Sequence, residues 1–244
     1  MNGSELKYRA RSYMAQSSPR PMLIGLAYIA LTALIAYLSA RILGGGITQE
    51  NLTQYTEHVM NGNYEYAVEY LDRIRPPFSA YTVEFLLNMI MTIVSVGFMI
   101  FLLNTVRGTG ACFENLLDGF GFFWKIILLS ILQSIFITLW TLLFVIPGLI
   151  AAYRYRMAYY ILIDHPEYSP MQCIRESKRM MDGHKWELFG LDVSFIGWWF
   201  LGALPGVGYL VQVWTRPYFG LTYALYYEQL RVNSGAAGWN TVEF

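Results

Sequence analysis

Charge is scarce in this chain, and what there is cancels. Asp, Glu, Lys and Arg form 14% of its 244 residues and balance to a net charge of +0, where soluble proteins carry roughly 25% charged residues. No basic domain or stripe is present to neutralise phosphates, so a nucleic-acid partner is excluded. Cysteine and histidine are scarcer still, at 2 and 3 residues. Cys112 and Cys173 lack metal-type spacing and are too few for a disulfide framework. His58, His165 and His184 fall in three separate connections, so no metal or cofactor is expected. The familiar catalytic signatures are missing as well: no G-x-S-x-G elbow, no H-E-x-x-H helix and no phosphate-cradling G-x-x-x-x-G-K loop. An enzyme is therefore the least supported class. Asp164-His165 with Glu167 is the only cluster of catalytic type, and an Asp-x-Pro turn ending a helix explains it more simply than a membrane-embedded hydrolase.

What the chain does have is long apolar sequence. Aromatic residues reach 17% and the mean hydropathy is +0.36. Stretches of about 18 or more apolar residues are long enough to cross roughly 30 Å of hydrocarbon. The expected fold is all-α: a polytopic integral membrane protein, one membrane domain over 1–244, with short amphipathic interfacial helices. Six transmembrane segments are expected at 21–40, 83–106, 122–145, 147–163, 188–204 and 207–227. Turn signals separate them: Gly44-Gly45-Gly46 after the first, Ile146-Pro147-Gly148 before the fourth and Pro205-Gly206 before the sixth. The first segment has a long apolar core and no Ala-x-Ala site after it, so it reads as an anchor and not a cleaved signal.

Lys and Arg in short connections set the direction of insertion. With the N-terminus inside, the inner side collects Lys7, Arg9, Arg11, Arg20, Arg107, Lys125, Arg175, Lys178, Arg179, Lys185 and Arg231. The outer side receives only Arg41, Arg73 and Arg75. Both termini and the connection 164–186 are thus expected in the cytoplasm, where reducing conditions keep both thiols free.

The connections carry structure of their own. In 1–20, Leu6, Ala10, Tyr13 and Met14 share a helical face with Lys7, Arg9 and Arg11 elsewhere, the pattern of a helix lying on anionic lipid. In 164–186, Ser169 with Gln172 forms a capping box, Pro170 suits the first helical position and Gly183 the stop. Met171, Ile174 and Met181 are expected on one face of that helix. The outer insertion 47–80 reads as two short helices, 48–61 and 64–74, turning at Gly62 and ended by Pro76-Pro77. Interfacial helix, hairpin and tyrosine pair recur around Asp118-Gly119 to Tyr159-Tyr160 and Asp182-Gly183 to Tyr226-Tyr227, as in a repeat.

Arginine inside the apolar segments is the candidate functional signal, because a charge at membrane depth is costly and usually faces a bundle interior or cavity. At 1.5 Å per residue, Arg156 lies about 10 Å and Asp192 about 9 Å from the inner surface, so an intramembrane ion pair is expected. Arg154 sits about 200° around the helix from Arg156. Arg154 and Arg216, near the midplane without an acidic partner, are the candidate ligand-binding residues for an anionic group.

The stretch 113–230 carries Ile146-Pro147-Gly148, Ile163-Asp164-His165-Pro166, the string from Glu176-Ser177-Lys178 to Gly183-His184-Lys185, Ser194-Phe195-Ile196-Gly197-Trp198 and Pro217-Tyr218. On these motifs it resembles a family of bacterial integral membrane proteins known as domain of unknown function 975. The resemblance implies a multi-pass protein of the bacterial cell membrane, with no activity or catalytic residues to carry over. The expected function is binding or transport of a lipid headgroup or small anionic solute through a polar site between helices, with membrane lipids as partners. The alternative is a non-transporting scaffold or assembly factor.

Overall fold

The computed structural model describes residues 3–42, 49–204 and 207–235. The glycine run 44–46, residues 47–48 of the outer insertion and the Pro205-Gly206 turn lie outside the described residues. Regular structure is helical throughout, with no strand among the described residues. In chain order the helices are α1 (Gly3–Gln16), α2 (Pro21–Ile42), α3 (Gln49–Met60), α4 (Tyr64–Ile74) and α5 (Phe78–Arg107). Next come α6 (Asn115–Asp118), a 3-10 turn (Gly119–Phe122), α7 (Phe123–Leu143), α8 (Val145–Tyr155) and α9 (Ala158–Asp164). The last are α10 (Pro170–Met180), α11 (Lys185–Val193), α12 (Ile196–Gly202) and α13 (Val207–Gly235).

Three helical runs are long and apolar enough to cross a membrane: Pro21–Ile42, Phe78–Arg107 and Asn115–Leu143. The other expected segments are built differently. That over 147–163 is two helices of 11 and 7 residues, α8 and α9. That over 188–204 is likewise two, α11 of 9 residues and α12 of 7. The sixth is one long helix, α13, whose Gln212, Arg216 and many tyrosines lower its hydropathy. The chain reversal before α8 also differs from expectation. It occurs at Phe144, extended at φ −159° and ψ 150°, while Pro147-Gly148 lie in the first turn of α8. Proline is tolerated there because the first helical N–H groups have no intrahelical acceptor to lose. A side chain at Gly148 would collide with Thr141 of α7, so glycine lets the two helices close.

The chain divides into two compact units, Ala30–Met91 and the remainder, Met1–Ile29 with Thr92–Phe244. In the first, α3 packs on α4 around Gly62, whose φ of 74° is the left-handed conformation that glycine adopts without penalty. His58 lies against the rings of Tyr66 and Tyr70 at 4.5 and 5.9 Å. The two expected short helices of the insertion are thus present where described.

In the second unit, buried residues of α5, α7, α9 and α13 form the core, among them Phe101, Leu129, Ile161 and Tyr227. Helix α1 packs on α13 and α11 through Leu6, Ala10 and Met14. Helix α10 starts at the expected capping box: Ser169 Oγ accepts from the Gln172 amide at 3.3 Å and Gln172 Oε1 from the Ser169 amide at 2.7 Å. Its buried face is Pro170, Cys173, Ile174, Ser177 and Met180, while Met171 points outward, contrary to the expected stripe. Burial pushes the Cys173 thiol up to about 11, which keeps it protonated and unreactive. A large apolar surface remains, and at the α7–α8 tip Leu142, Phe144, Val145 and Ile146 are 78, 69, 74 and 72% exposed.

Lipid is as apolar as leucine, so helices in a bilayer associate through close packing and polar contacts more than through burial. Gly97 of α5 and Gly119 of the 3-10 turn let backbone approach backbone closely. A Cβ at Gly97 would collide with the Leu116 carbonyl oxygen, and one at Gly119 with that of Ile93. Backbone cannot step aside as a side chain can. Gly97→Ala is therefore expected to destabilise the fold by about 1–3 kcal/mol, read as a lower thermal unfolding midpoint in detergent. An unchanged midpoint would show that the α5 approach is not as tight as described.

Candidate functional site

The break between α8 and α9 is held open by side chains from two other helices. An uninterrupted helix would send the Met157 amide to Tyr153 and accept at the Arg154 and Tyr155 carbonyls from residues four further on. Instead, the Ser177 hydroxyl of α10 donates to the Arg154 carbonyl at 2.8 Å and accepts from the Met157 amide at 3.1 Å. Gln133 of α7 donates to the Tyr155 carbonyl at 3.1 Å. Ser177 is fully buried. The freed backbone groups are thereby satisfied by protein side chains, as buried backbone requires.

The two arginines at this break have different surroundings. Arg156 is exposed, and its guanidinium lies 4.8 Å from the centre of the Tyr223 ring of α13. Asp192 of α11 is met by two phenols: Tyr153 donates to Oδ2 at 2.9 Å and Tyr223 donates to Oδ1 through a short bond. A direct Arg156–Asp192 contact is not among the ion pairs of the described residues. Tyr223 stands between the two, using its hydroxyl on the acid and its face on the cation. Arg154 has its Nε buried and without a hydrogen-bond partner. The Lys185 ammonium, 2.9 Å away, holds the Asp182 carboxyl below its usual range, and Arg154 adds to that from further off.

The second break, at Ser194-Phe195, receives α1. The Lys7 ammonium approaches the Ser194 carbonyl at 3.5 Å and lies 4.8 Å from the Phe195 ring centre. Burial, then Arg11, lowers the Lys7 ammonium from its ordinary value. Arg11 in turn lies over the Tyr218 ring at 5.6 Å. Phe195 is buried against Phe219 of α13, with ring centres 4.2 Å apart.

A further polar cluster joins α5, α9 and α13. Arg107 binds Asp164 through both terminal nitrogens, at 2.7 and 2.8 Å, and donates from Nε to Glu228 at 2.7 Å. Tyr227 donates to Asp164 at 2.7 Å, and Arg231 reaches Glu228 at 2.8 Å. The planar guanidinium fork suits this two-acid grip. Asp164 is therefore engaged in holding helices together. Its sequence neighbours His165 and Glu167 contact each other at 2.9 Å, and no metal-holding group of His, Cys, Asp and Glu occurs among the described residues.

Arg216 occupies a different setting. It lines a cavity of about 240 Å³ between α12 and α13, walled by Trp198, Trp199 and Phe219 with Gln212 and Thr215. Trp198 and Trp214 lie 4.8 Å apart beside it. Arg216 is in none of the ion pairs of the described residues, and Arg154 is not among the residues that line this cavity. The structure thus brings Arg156, Tyr223, Tyr153 and Asp192 together, and sets Arg154 and Arg216 in separate surroundings. Pro217 lacks the amide that would bind the Val213 carbonyl; Gly25 of α2 packs against both, with its Cβ position 3.1 and 3.3 Å from Pro217 Cδ and the Val213 oxygen.

Sequence reasoning missed Ser177, Gln133 and the Arg107–Asp164–Glu228 cluster. The cluster left a readable trace, since all three residues fall at the inner end of their expected segments. The serine and glutamine left none, because nothing in hydropathy marks a helix interruption.

Residues 142–234 match a family described as a protein of unknown function (DUF975). The resemblance drawn from the motifs is shown over that stretch, which runs from the end of α7 into α13. No curated protein and no solved structure matches the chain.

Ser177→Ala leaves a buried amide and a buried carbonyl without their partner. A loss of about 1–3 kcal/mol is expected, measured as a lower thermal midpoint, with faster amide exchange at Met157. Unchanged exchange at Met157 would mean that the hydroxyl does not hold the break.

Proposed function

We propose that this chain is a multi-pass protein of the bacterial cell membrane that binds, and in transport would release, an anionic group in a polar site between its helices. Arg216 in its aromatic cavity carries the reading. Arg216 is exposed and has no acid partner among the described residues, so its positive charge stands uncompensated beside Trp198, Trp199 and Phe219. An anion is the natural complement of that charge, and the guanidinium fork matches phosphate or carboxylate oxygens in geometry. The absence of catalytic motifs favours binding over catalysis. Arg156 and Asp192 act in this reading as a compensated tie through Tyr223. Arg154, with its idle Nε, is the secondary ligand-binding candidate.

The topology we infer has six spans, with 147–163 and 188–204 each crossing as two stacked half-helices, and 1–20, 164–186 and the C-terminus on the cytoplasmic side. The Lys/Arg asymmetry supports it, and so does the exposed apolar surface at the α7–α8 tip. In a background lacking Cys112 and Cys173, cysteines at Gly62 and Glu167 are expected to label from opposite sides of intact cells or inverted vesicles. Labelling of both from one side would overturn the six-span arrangement.

For the site, Arg216→Gln is expected to reduce the anionic lipid or solute that copurifies with the detergent-extracted protein by about tenfold, as loss of a charge-assisted contact implies. Mass spectrometry of the purified material reads this directly. An unchanged complement of anions would remove the site and favour a scaffold that organises partners in the membrane.

A further inference from the structure

The Arg216 cavity is small, and its surroundings on the outside are as informative as its interior. At about 240 Å³ it falls below the roughly 300–1,000 Å³ of sites that enclose a drug-sized molecule. It accommodates an oxyanion head and little else. The wall on this side is apolar: Trp199, which lines the cavity, is 67% exposed, and Arg216 is itself exposed. A hydrated anion approaching Arg216 from this side would cross an apolar rim, whereas a lipid already lies along such a surface.

We infer that the cavity takes its ligand sideways from the bilayer: a single-headed anionic amphiphile, with its phosphate-type oxygens on Arg216 and its chain lying outside, along Trp199. This rests on the reading of the Arg216 cavity as an anion site and adds the class of ligand and its route of entry. Arginine suits the head better than lysine would, because its two parallel N–H donors meet two oxygens at once. Gln212 and Thr215 offer further polar contacts from within the cavity. Trp198, fixed against Trp214, provides a rigid wall on which the first carbons beyond the head pack. The zwitterionic alternative fails on charge, since a choline head would bring a second cation beside Arg216.

The test uses the full chain in detergent, incubated with phosphatidylglycerol and phosphatidylcholine and read by native mass spectrometry. One phosphatidylglycerol per chain is expected to persist, with phosphatidylcholine lost on activation. Arg216→Gln is expected to weaken retention about tenfold or more. Gly202→Leu is the second variant, because a side chain there meets no atom within 4 Å at its Cβ and extends into the cavity. It keeps the arginine, and is expected to lose the lipid while the protein elutes and melts as before. Inorganic phosphate and glycerophosphoglycerol, the free heads, are expected not to displace the lipid. If they do displace it, in an Arg216-dependent way, the anion site stands and entry from the bilayer is wrong. If neither variant alters lipid retention, both the amphiphile and the anion site beneath it are overturned. Should Arg216→Gln fail to assemble, Gly202→Leu decides between these outcomes.

Discussion

Every buried backbone amide and carbonyl needs a partner, and the two interrupted helices are where this chain meets that demand by other means. Between α8 and α9, one serine hydroxyl both donates and accepts, and a glutamine amide takes the next carbonyl. Those contacts fix α10, a helix of the connecting segment, against the middle of the bundle. They also determine where Arg154 and Arg156 point, because both lie beside the break. The position of α10 in turn sets Asp182 and Lys185 at the start of α11. One hydroxyl thus lies upstream of much of the geometry around the arginines.

Helix α13 gathers the polar interactions. Tyr223 serves Asp192 and Arg156, Tyr227 serves Asp164, Glu228 serves Arg107, and Arg216 faces the cavity. The tyrosines have a common logic. A phenol delivers a hydrogen bond to a carboxylate while its ring fills apolar space, so an acid is compensated without importing a second full charge. Asp192 is handled this way, whereas Asp164 and Glu228 are matched by arginines. The difference does not follow position along a helix, since Asp164 and Asp192 both lie at the C-terminal ends of theirs and Glu228 lies within α13.

The all-α class, the helices of the outer insertion, the capping box at Ser169 and the stop at Gly183 were legible because each rests on local rules. Helix ends announce themselves through residue types whose effect reaches only a few positions. What could not be read was any feature decided by a distant partner. The interruptions depend on Ser177 and Gln133, which are ordinary polar residues in sequence. The direct Arg156–Asp192 pair was inferred from depth alone, and depth does not reveal a tyrosine standing between two charges. The outward Met171 shows the same limit on a smaller scale: hydrophobicity proposes a face, and packing selects which residues of it are used.

The order of the helices along the chain has a consequence for biosynthesis. Arg107, Asp164 and Asp192 all emerge from the ribosome before the tyrosines and glutamate of α13 that compensate them. Helix α1, the earliest, has its main packing partner in that same late segment. Before α13 emerges, Arg107 and Asp164 have each other and Asp192 has Tyr153, but Glu228, Tyr227 and Tyr223 are still missing and α1 lacks the main helix that covers its buried face. The groups of the earlier helices are thus half-satisfied in waiting, and α13 completes each of them at one stroke.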